Sequence, residues 1–342
     1  MIGLAQGGFV VMVVATTAVV SASLIGLLRP FLVRYVMARP NFRSSHREPT
    51  PQGGGIAVIA ATLGISAVVI VGTTGDAAVL SQLIPVYGAM LLLALVGAVD
   101  DIRALPASIR ILLHASAFGI VLASLPPEMR VLPFLPFGVE RALLLLAGIW
   151  MINLVNFMDG IDWMTVAEVA PVAAGLAAIG FLGGLPNHAI LIALALLGAM
   201  LGFAPFNRPV AQLFLGDVGS LPLGLLLGWL LVLLAGNGYY AAALILPLYY
   251  LADATITLLW RLAKGEPVWL AHRTHFYQRA TDNGFAVPQV VARVFLTNIA
   301  LVVLAIISVG VRSSGAQLAA LAIAAALVGW LLMQFSRGPE QR

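Results

Sequence analysis

The sequence predicts an all-α protein that crosses a membrane many times. Of its 342 residues, 61% are hydrophobic and only 9% are charged, whereas a soluble domain carries about 25% charged residues. Apolar runs of about 18 residues or more recur along the whole chain, and this is the length with which a helix crosses the hydrocarbon core. The short alternating segments typical of a transmembrane β-barrel are not seen. Residues 1–342 are therefore expected to form one integral membrane domain.

Eleven candidate spans satisfy this length criterion. The first has no basic segment before it and is followed by arginines, so we expect it to be retained as a helix rather than removed as a secretory signal. The divisions near 183–188 and 236–239 depend on short connections. In chain order the predicted spans lie near 8–28, 53–72, 79–99, 108–125, 139–157, 165–183, 188–204, 219–236, 239–260, 292–311 and 315–335.

The basic residues predict the orientation of these spans. With eleven spans, 15 of the 18 Lys and Arg residues fall on one side, and Arg130, Arg141 and Arg312 fall on the other. Cytoplasmic loops carry an excess of Lys and Arg, so the rich side is predicted to be cytoplasmic, with the N-terminus outside and the C-terminus inside. The net charge of +4 is thus a topology signal, and no nucleic-acid partner is expected. Cytoplasmic loops are expected near 29–52, 100–107, 157–164, 205–218 and 261–291.

Five polar clusters fall on this predicted cytoplasmic side. Chance would scatter such clusters over both sides, so we predict that they build one shared site. They are "SSHREPTPQGGG" (44–55), the pair Asp100 and Asp101, "NLVNFMDGID" (153–162), "FNRPVAQLFLGDVGS" (206–220) and "AHRTHFYQR" (271–279).

Asp100 and Asp101 stand side by side at the end of an apolar run. The simple interpretation is that they end a helix and face water. A carboxylate at a helix C-terminus opposes the helix dipole, however, and adjacent carboxylates repel each other unless a cation lies nearby. The chain has no cysteine, and Mg²⁺ prefers oxygen ligands together with substrate phosphates. Mg²⁺, with Mn²⁺ as the second choice, is therefore favoured over zinc.

Two further clusters offer polar groups to the same site. Gly216, next to Asp217, precedes an apolar helix; such a loop either caps the helix or lets backbone N–H groups approach an anion. Asn153, Asn156 and Asp159 follow a spacing of three residues, which places them on one stripe if the helix continues. Such a stripe either faces the site or forms a polar seam between helices.

Asp162 lies three residues further along the same stripe, and beyond it Thr165 and Glu168 predict a capping box for the next helix. His114, alone within an apolar span, is expected to be a packed structural residue.

The loop at 271–279 combines His272 and His275 with Arg273 and Arg279. These side chains are either simply solvated or, beside phosphates, neutralise developing negative charge. His46 shares its loop with arginines and is a weaker candidate for a phosphate contact.

Together, the five motifs resemble the polyprenyl-phosphate N-acetylhexosamine-1-phosphate transferase family over residues 46–279. The resemblance implies transfer of HexNAc-1-phosphate from a UDP-N-acetylhexosamine to a polyprenyl phosphate, such as undecaprenyl phosphate, in a bacterial inner membrane. The products are polyprenyl-diphosphate-HexNAc and UMP, and Mg²⁺ is the cofactor. The loop "AHRTHFYQR" is more similar to the branch that initiates O-antigen of lipopolysaccharide than to the peptidoglycan branch. A homodimer is compatible with the sequence.

The resemblance also implies roles for the site residues. Asp100 and Asp101 would be the catalytic carboxylates, with His272 and His275 at the diphosphate or lipid phosphate. Asp217 would bind Mg²⁺, with Asn156 as a second contributor. The nucleotide would face a set made up of Asn153, Asp159, Asp162 and Phe214, with Gly216, Arg273 and Arg279 near the phosphates.

Two departures from the family pattern lie near the expected nucleotide pocket. Trp163 stands where many relatives have glycine, and Gln212 stands where a basic residue is common. Two other functions remain alternatives at this stage. One is the phospho-MurNAc-pentapeptide transferase of peptidoglycan synthesis, and the other is a secondary transporter, although transporters place charges near the bilayer midplane and commonly have repeated halves.

Overall fold

The structure is a computed structural model that describes residues 7–38, 48–74, 76–268, 270, 272–311 and 313–339. His46 lies outside these residues, so its predicted phosphate contact stays a prediction. Within the described residues the fold is almost entirely helical. The helices are α1 (Gly7–Tyr35), α2 (Gly55–Thr74), α3 (Ala77–Ile102), α4 (Ala107–Ala123), α5 (Phe137–Met158), α6 (Met164–Ile179), α7 (Asn187–Phe203), α8 (Asp217–Gly236), α9 (Tyr240–Ile245), α10 (Leu248–Ala263), α11 (Phe276–Asp282), α12 (Val287–Gly310) and α13 (Ser314–Arg337). Two short strands, β1 (Met37–Ala38) and β2 (Thr50–Pro51), pair antiparallel.

The predicted all-α, multi-pass architecture is confirmed. In the described part of the chain, eight helical segments are long and apolar enough to cross a membrane: α1, α2, α3, α5, α6 with its continuation, α8, α12 and α13. The continuation of α6 is a single π-helical turn, Gly180–Gly184. The apolar helices α4 and α7 have 17 residues each. The predicted orientation relative to the cytoplasm stays a prediction.

The predicted span 239–260 is two helices rather than one. Helix α9 ends at Ile245 and α10 begins at Leu248, directly after Pro247. Proline has no N–H to donate to the preceding turn. Leu246 still has helical backbone angles, whereas Pro247 has φ of −93° and ψ of 16°, so the break falls at the proline itself. Helix α10 then carries a buried face that includes Tyr249 and Asp253, and this face supports part of the candidate site.

Helix α8 is the central helix of the bundle. Its side chains from Val218 to Leu234 are all buried, and its neighbours include α2, α3 and α5. Glycines allow these helices to meet at its N-terminal end. A Cβ on Gly97 of α3 would lie 2.2 Å from the backbone oxygen of Asp217, and a Cβ on Gly55 of α2 would lie 2.2 Å from the Cα of Gly219. Small residues of this kind let helix backbones approach closely in membrane proteins.

Candidate functional site

A cavity of about 200 Å³ lies at the end of the bundle where α3 and α5 end and α8 begins. Its lining consists of Gln52, Asp101, Asn156, Asp159, Gly160, Ile161, Asp162, Asn207, Phe214, Leu215, Gly216 and Asp217. Four of these residues are aspartates, and none is Lys, Arg or His. Carboxylate and amide oxygens are the ligands that Mg²⁺ prefers, so the residues present fit a hard divalent cation. Among the described residues, however, no group of three His, Asp or Glu side chains is arranged as a ready metal site.

Asp101 joins the end of α3 to the beginning of α8. Its Oδ1 accepts a hydrogen bond from the backbone N–H of Asp217 at 3.0 Å, and its Oδ2 accepts one from Val218 at 3.2 Å. The first N–H groups of a helix have no partner within the helix and carry partial positive charge, so they stabilise a carboxylate. The sequence predicted that the N-terminus of this helix either is capped or binds an anion. In the structure the Asp101 carboxylate binds the N-terminus of α8.

The loop before α8 is shaped around this carboxylate. Gly216 has φ of +77°, a left-handed conformation that favours glycine. A Cβ at this position would lie 2.6 Å from Oδ2 of Asp101. The N–H of Gly54 donates to the carbonyl of Phe214 at 2.9 Å, and the N–H of Phe214 donates to that of Pro51 at 2.9 Å. The predicted nucleotide-facing Phe214 therefore lies on a loop fixed to the chain that precedes α2.

Asp217, the predicted magnesium ligand, is oriented by α5. Nδ2 of Asn156 donates to Oδ1 of Asp217 at 2.7 Å and to the hydroxyl of Ser220 at 2.9 Å. In this arrangement Asn156 holds the Asp217 carboxylate, and it does so through its nitrogen, which cannot bind a cation. Its predicted role as a second metal ligand is untested.

Asp100 is close to the cavity but is not part of its lining. Its carboxylate forms an ion pair with Nη1 of Arg110 at 3.1 Å and also accepts the backbone N–H of Leu105. The two adjacent aspartates are therefore balanced by different partners, an arginine for Asp100 and a helix N-terminus for Asp101.

The predicted stripe of Asn153, Asn156, Asp159 and Asp162 does not form. Helix α5 ends at Met158, and Asp159 is its C-terminal cap. The stripe required a continuous helix, so the prediction is wrong on this point. The last two residues reach the cavity from a loop instead.

Within this loop, Asp159 and Asp162 have different environments. Asp159 accepts a hydrogen bond from the hydroxyl of Thr165. The pKa of Asp159 is raised from its ordinary value of 3.8 to about 7. Burial is the main cause, the charges of Asp101 and Asp162 add to it, and the Thr165 hydrogen bond partly offsets it. Asp162 accepts the backbone N–H of Ala211 at 3.0 Å and thereby fixes the loop between α7 and α8.

Asn153 is turned away from the cavity. Its Nδ2 donates to the backbone oxygen of Ile149 at 2.7 Å and lies 3.3 Å from Nδ1 of His114. His114 is buried, as the sequence predicted for a packed structural histidine. The structure therefore does not bring Asn153 together with the other residues predicted to face the nucleotide.

The predicted capping box at the start of α6 is also wrong. The cap is Trp163, while Thr165 is hydrogen-bonded to Asp159 and Glu168 accepts a hydrogen bond from Nδ2 of Asn298 on α12 at 2.7 Å. Both side chains are therefore engaged with other residues and do not form the capping box.

Trp163 has φ of +63°, a conformation that glycine adopts without strain. Trp163, which departs from the glycine expected from the family resemblance, thus lies at a position whose backbone conformation favours glycine. The backbone N–H of Trp163 donates to Oδ1 of Asn207 at 2.8 Å, and its indole N–H donates to the carbonyl of Ala204 at 2.6 Å. Gln212, the second departure, is exposed on the same loop.

The predicted histidines lie at the start of α11, beside α10. His275 is buried, and its Nδ1 lies 3.2 Å from Oδ1 of Asp253. His272 stacks on His275 with 4.8 Å between ring centroids, and its Nδ1 is 2.9 Å from the hydroxyl of Thr274. Asp253 was not among the residues predicted from the sequence, although a lone aspartate inside an apolar span is a signal of a functional or paired group.

The two arginines of this loop have partners within the protein. Arg273 forms an ion pair with Asp282 at 3.2 Å. The guanidinium of Arg279 lies 5.0 Å from the ring centroid of Trp260, within the range of a cation–π interaction. Their predicted contacts with phosphates are untested.

Tyr277 connects the histidine loop to the acidic cavity. Its hydroxyl donates to the carbonyl of Phe157 at 3.0 Å, and burial raises the pKa of this phenol well above its ordinary value, so that it remains a donor. A Cβ on Gly160 would lie 2.0 Å from the same hydroxyl. The residues at this end of the bundle therefore form two neighbouring groups, an acidic cavity and a histidine loop, that meet at the end of α5.

Comparisons with known proteins agree with this arrangement. The model of glycosyl transferase family 4 matches residues 83–235, which include the aspartates of the cavity. A decaprenyl-phosphate N-acetylglucosaminephosphotransferase from Mycolicibacterium smegmatis is 27% identical over 371 aligned positions, covering 95% of this chain and 88% of that protein.

Other relatives match over a shorter region. A phospho-N-acetylmuramoyl-pentapeptide-transferase from Psychrobacter cryohalolentis is 32% identical over 178 residues, which are 47% of this chain and 46% of that protein. One from Neisseria meningitidis serogroup C is 31% identical over 198 residues, or 52% of this chain and 53% of that protein. The chain thus spans about half the length of these relatives. Taken together, the matches show that the chain is similar to the polyprenyl-phosphate hexosamine-1-phosphate transferases.

Proposed function

We propose that this protein transfers HexNAc-1-phosphate from a UDP-N-acetylhexosamine to a polyprenyl phosphate, with release of UMP. The new phosphoanhydride bond forms between the lipid phosphate and the sugar-bearing phosphorus, and the bond to UMP breaks. The observation that carries the proposal is the cavity in which Asp101, Asp159, Asp162 and Asp217 converge without a basic side chain in the lining. Such a cavity repels a diphosphate unless a cation is bound with it.

The residues present fit Mg²⁺, with Mn²⁺ as the second choice. Asp217 would hold it, Asn156 would orient Asp217, and Asp101 would lie beside them. A divalent ion bound there would neutralise negative charge on the phosphate oxygens. Because the cavity of about 200 Å³ is smaller than the roughly 300–1,000 Å³ of common ligand pockets, a nucleotide sugar would extend beyond it toward the histidine loop.

Direct attack by the lipid phosphate is the mechanism we favour. A phosphomonoester has a second pKa of about 6, so the acceptor is largely ionised at neutral pH and needs positioning more than a strong base. We propose Asp100 as the base. That carboxylate is shared with Arg110, so this role requires the ion pair to open. A covalent phospho-enzyme is the alternative, and it would release UMP from the donor without any lipid.

We further propose that the enzyme initiates a cell-envelope polysaccharide such as O-antigen, from the cytoplasmic face of a bacterial inner membrane. The relative that matches over most of both chains is named for N-acetylglucosamine phosphate transfer, which supports a HexNAc donor. The pentapeptide transferases have a higher sequence identity to this chain than that relative has, but they match only about half of it. UDP-MurNAc-pentapeptide is therefore the second candidate donor.

The test is a donor panel with purified protein, undecaprenyl phosphate and Mg²⁺, in which UMP and the lipid product are identified by mass. We expect a polyprenyl-diphosphate-HexNAc from a UDP-HexNAc and none from UDP-MurNAc-pentapeptide. Omitting the lipid should abolish UMP release, and a single burst of UMP would contradict direct attack. Substrate uptake into proteoliposomes without UMP would support the transporter alternative instead.

A further inference from the structure

Asp253 is a buried carboxylate that the proposed reaction has not yet used. It lies on α10 with 0% of its surface exposed. A buried charge is costly unless it is paired and hydrogen-bonded, and Asp253 is surrounded by donors. These are the imidazole of His275 at 3.2 Å, the backbone N–H groups of Phe276 at 3.0 Å and Tyr277 at 3.1 Å, and the hydroxyls of Tyr249 at 3.2 Å and Thr257 at 3.4 Å.

This set of partners identifies the protonated nitrogen of His275. Both oxygens of Asp253 accept backbone N–H groups, Oδ1 from Phe276 and Oδ2 from Tyr277. An ionised carboxylate only accepts hydrogen bonds, so Nδ1 of His275 must carry the hydrogen that lies between them. Nε2 is then the nitrogen left for a substrate atom, because the partner of one ring nitrogen determines the state of the other.

The ring plane of His275 is fixed separately, by stacking. Its neighbours are the rings of His272 at 4.8 Å, Tyr277 at 5.8 Å and Phe157 at 6.3 Å between centroids. Stacking restrains the tilt of the imidazole but does not select a tautomer. The tautomer is selected by Asp253, through its contact with Nδ1. If Asp253 only capped α11, its carboxylate would need no contact with the imidazole ring.

We infer that Asp253 is a positioning residue of the transfer reaction, which fixes the hydrogen on Nδ1 of His275 and directs Nε2 at a phosphate group. Nε2 accepts a hydrogen bond from a phosphate O–H when the ring is neutral, and it donates to a phosphate oxygen when it is protonated as well. The inference rests on the proposed function. Replacement of Asp253 by Asn keeps the size of the side chain but turns one acceptor into an NH₂ group. That group would oppose a backbone N–H or the Nδ1–H of His275, so the ring should lose its fixed tautomer.

The kinetic test is a double-mutant cycle of Asp253→Asn with His275→Gln, in which UMP release is measured with the best donor. We expect Asp253→Asn to lower kcat by about 10- to 100-fold, as for other partners that orient a functional histidine, with the KM of the donor unchanged. In the His275→Gln background, Asp253→Asn should have no further effect. If the two losses multiply, Asp253 acts only as a structural cap and the inference is wrong. Thr257→Val, which removes the 3.4 Å bond without touching the loop, is the matched control.

A second measurement does not depend on activity or on the folding of the Asp253 variant. The protein has five histidines, so ¹⁵N-histidine NMR can assign the His275 ring by its loss in His275→Gln. At a pH where the ring is neutral, wild type should show Nδ1–H and an unprotonated Nε2. An Nε2–H tautomer would overturn the inference. If no donor gives UMP with wild type, the proposed function fails and the tautomer alone decides whether Asp253 positions the ring.

Discussion

The backbone N–H of Asp217 donates a 3.0 Å hydrogen bond to the carboxylate of Asp101, so two acidic residues 116 positions apart meet at one helix N-terminus. The contact explains how adjacent carboxylates are tolerated at the end of α3. Asp101 replaces an external anion at the start of α8, and Asp100 is paired with Arg110. Each aspartate has its own partner, so both carboxylates can be accommodated side by side.

Asp101→Asn is predicted to reduce transfer strongly while it destabilises the protein only slightly. The amide keeps one acceptor oxygen for the two N–H groups of Asp217 and Val218, so loss of the cap should cost about 1 kcal/mol. The missing charge beside the proposed cation should lower kcat by about 100-fold, in the range found when one electrostatic group is removed from an active site. Steady-state UMP release and thermal unfolding in detergent measure the two effects.

Asp76→Asn is the matched control for this variant. Asp76 accepts the backbone N–H of Ala78 at 2.8 Å and caps α3 at its opposite end. Its amide variant should retain wild-type turnover. An Asp101→Asn protein that also retains wild-type turnover would remove Asp101 from the site.

Gly216→Ala is predicted to reduce turnover through geometry alone. The new Cβ would meet Oδ2 of Asp101 at 2.6 Å, closer than real Cβ contacts allow, and φ of +77° is strained for alanine. We expect kcat to fall at least about tenfold, since displacement of a positioned group by about 1 Å can cost 100-fold. Gly238→Ala is the control, because Gly238 has φ of +87° with nothing within 4 Å. Equal losses in the two variants would assign the effect to strain rather than to Asp101.

The sequence could predict the helices because the apolar pattern determines them in a membrane. Ten of the eleven predicted spans correspond to single helical segments within the described residues, and only the span that contains Pro247 is divided. The polar clusters could be placed at one end of the bundle because the spans alternate in direction. Helix ends were harder to predict, since the Asp101 side chain near the end of α3 is bound by the first N–H groups of α8, a contact that spacing does not reveal.

Contacts between distant side chains could not be predicted from spacing. The i, i+3 pattern that begins at Asn153 suggested one stripe, but α5 ends at Met158 and Asn153 faces His114. Thr165 and Glu168 matched a capping box, yet both have tertiary partners. In each case a hydrogen bond to another part of the chain outweighs a local preference of about 1 kcal/mol.

Trp163 provides a test of backbone strain with the side chain removed. A left-handed conformation costs an ordinary residue about 1–2 kcal/mol, so Trp163→Gly should be more stable than Trp163→Ala by about 1 kcal/mol. Chemical unfolding of the two variants measures the difference directly, because both lose the same indole contacts. Trp330 in α13 is the control. There, glycine should be less stable than alanine by about 1 kcal/mol, and the same sign at both positions would contradict strain at Trp163.

Stability is predicted to decrease between about pH 4 and pH 7 because of Asp159. Burial raises the pKa of its carboxyl from 3.8 to about 7 in the folded protein, so the folded state holds the proton more tightly than the unfolded chain. This contribution is fully present below pH 4 and is lost as the pH rises through 7. Asp159→Asn removes the group and should flatten the dependence of Tm on pH over this interval. Asp76→Asn should leave the dependence as it is in wild type, and an unchanged slope in Asp159→Asn would refute the assignment.

Mg²⁺ is predicted to stabilise the protein through Asp217. A ligand that binds only the folded state at 100 times its Kd adds about 2.7 kcal/mol to the free energy of unfolding, so a titration with Mg²⁺ should raise Tm until the site saturates. Asp217→Asn should lose most of this shift, because the carboxylate that Asn156 orients at 2.7 Å is then a neutral amide. Ca²⁺ at equal ionic strength controls for screening by salt. A Tm that rises equally in wild type and Asp217→Asn would show that the ion stabilises the protein elsewhere, and a cavity with four aspartates would then need another source of positive charge before it could hold a diphosphate.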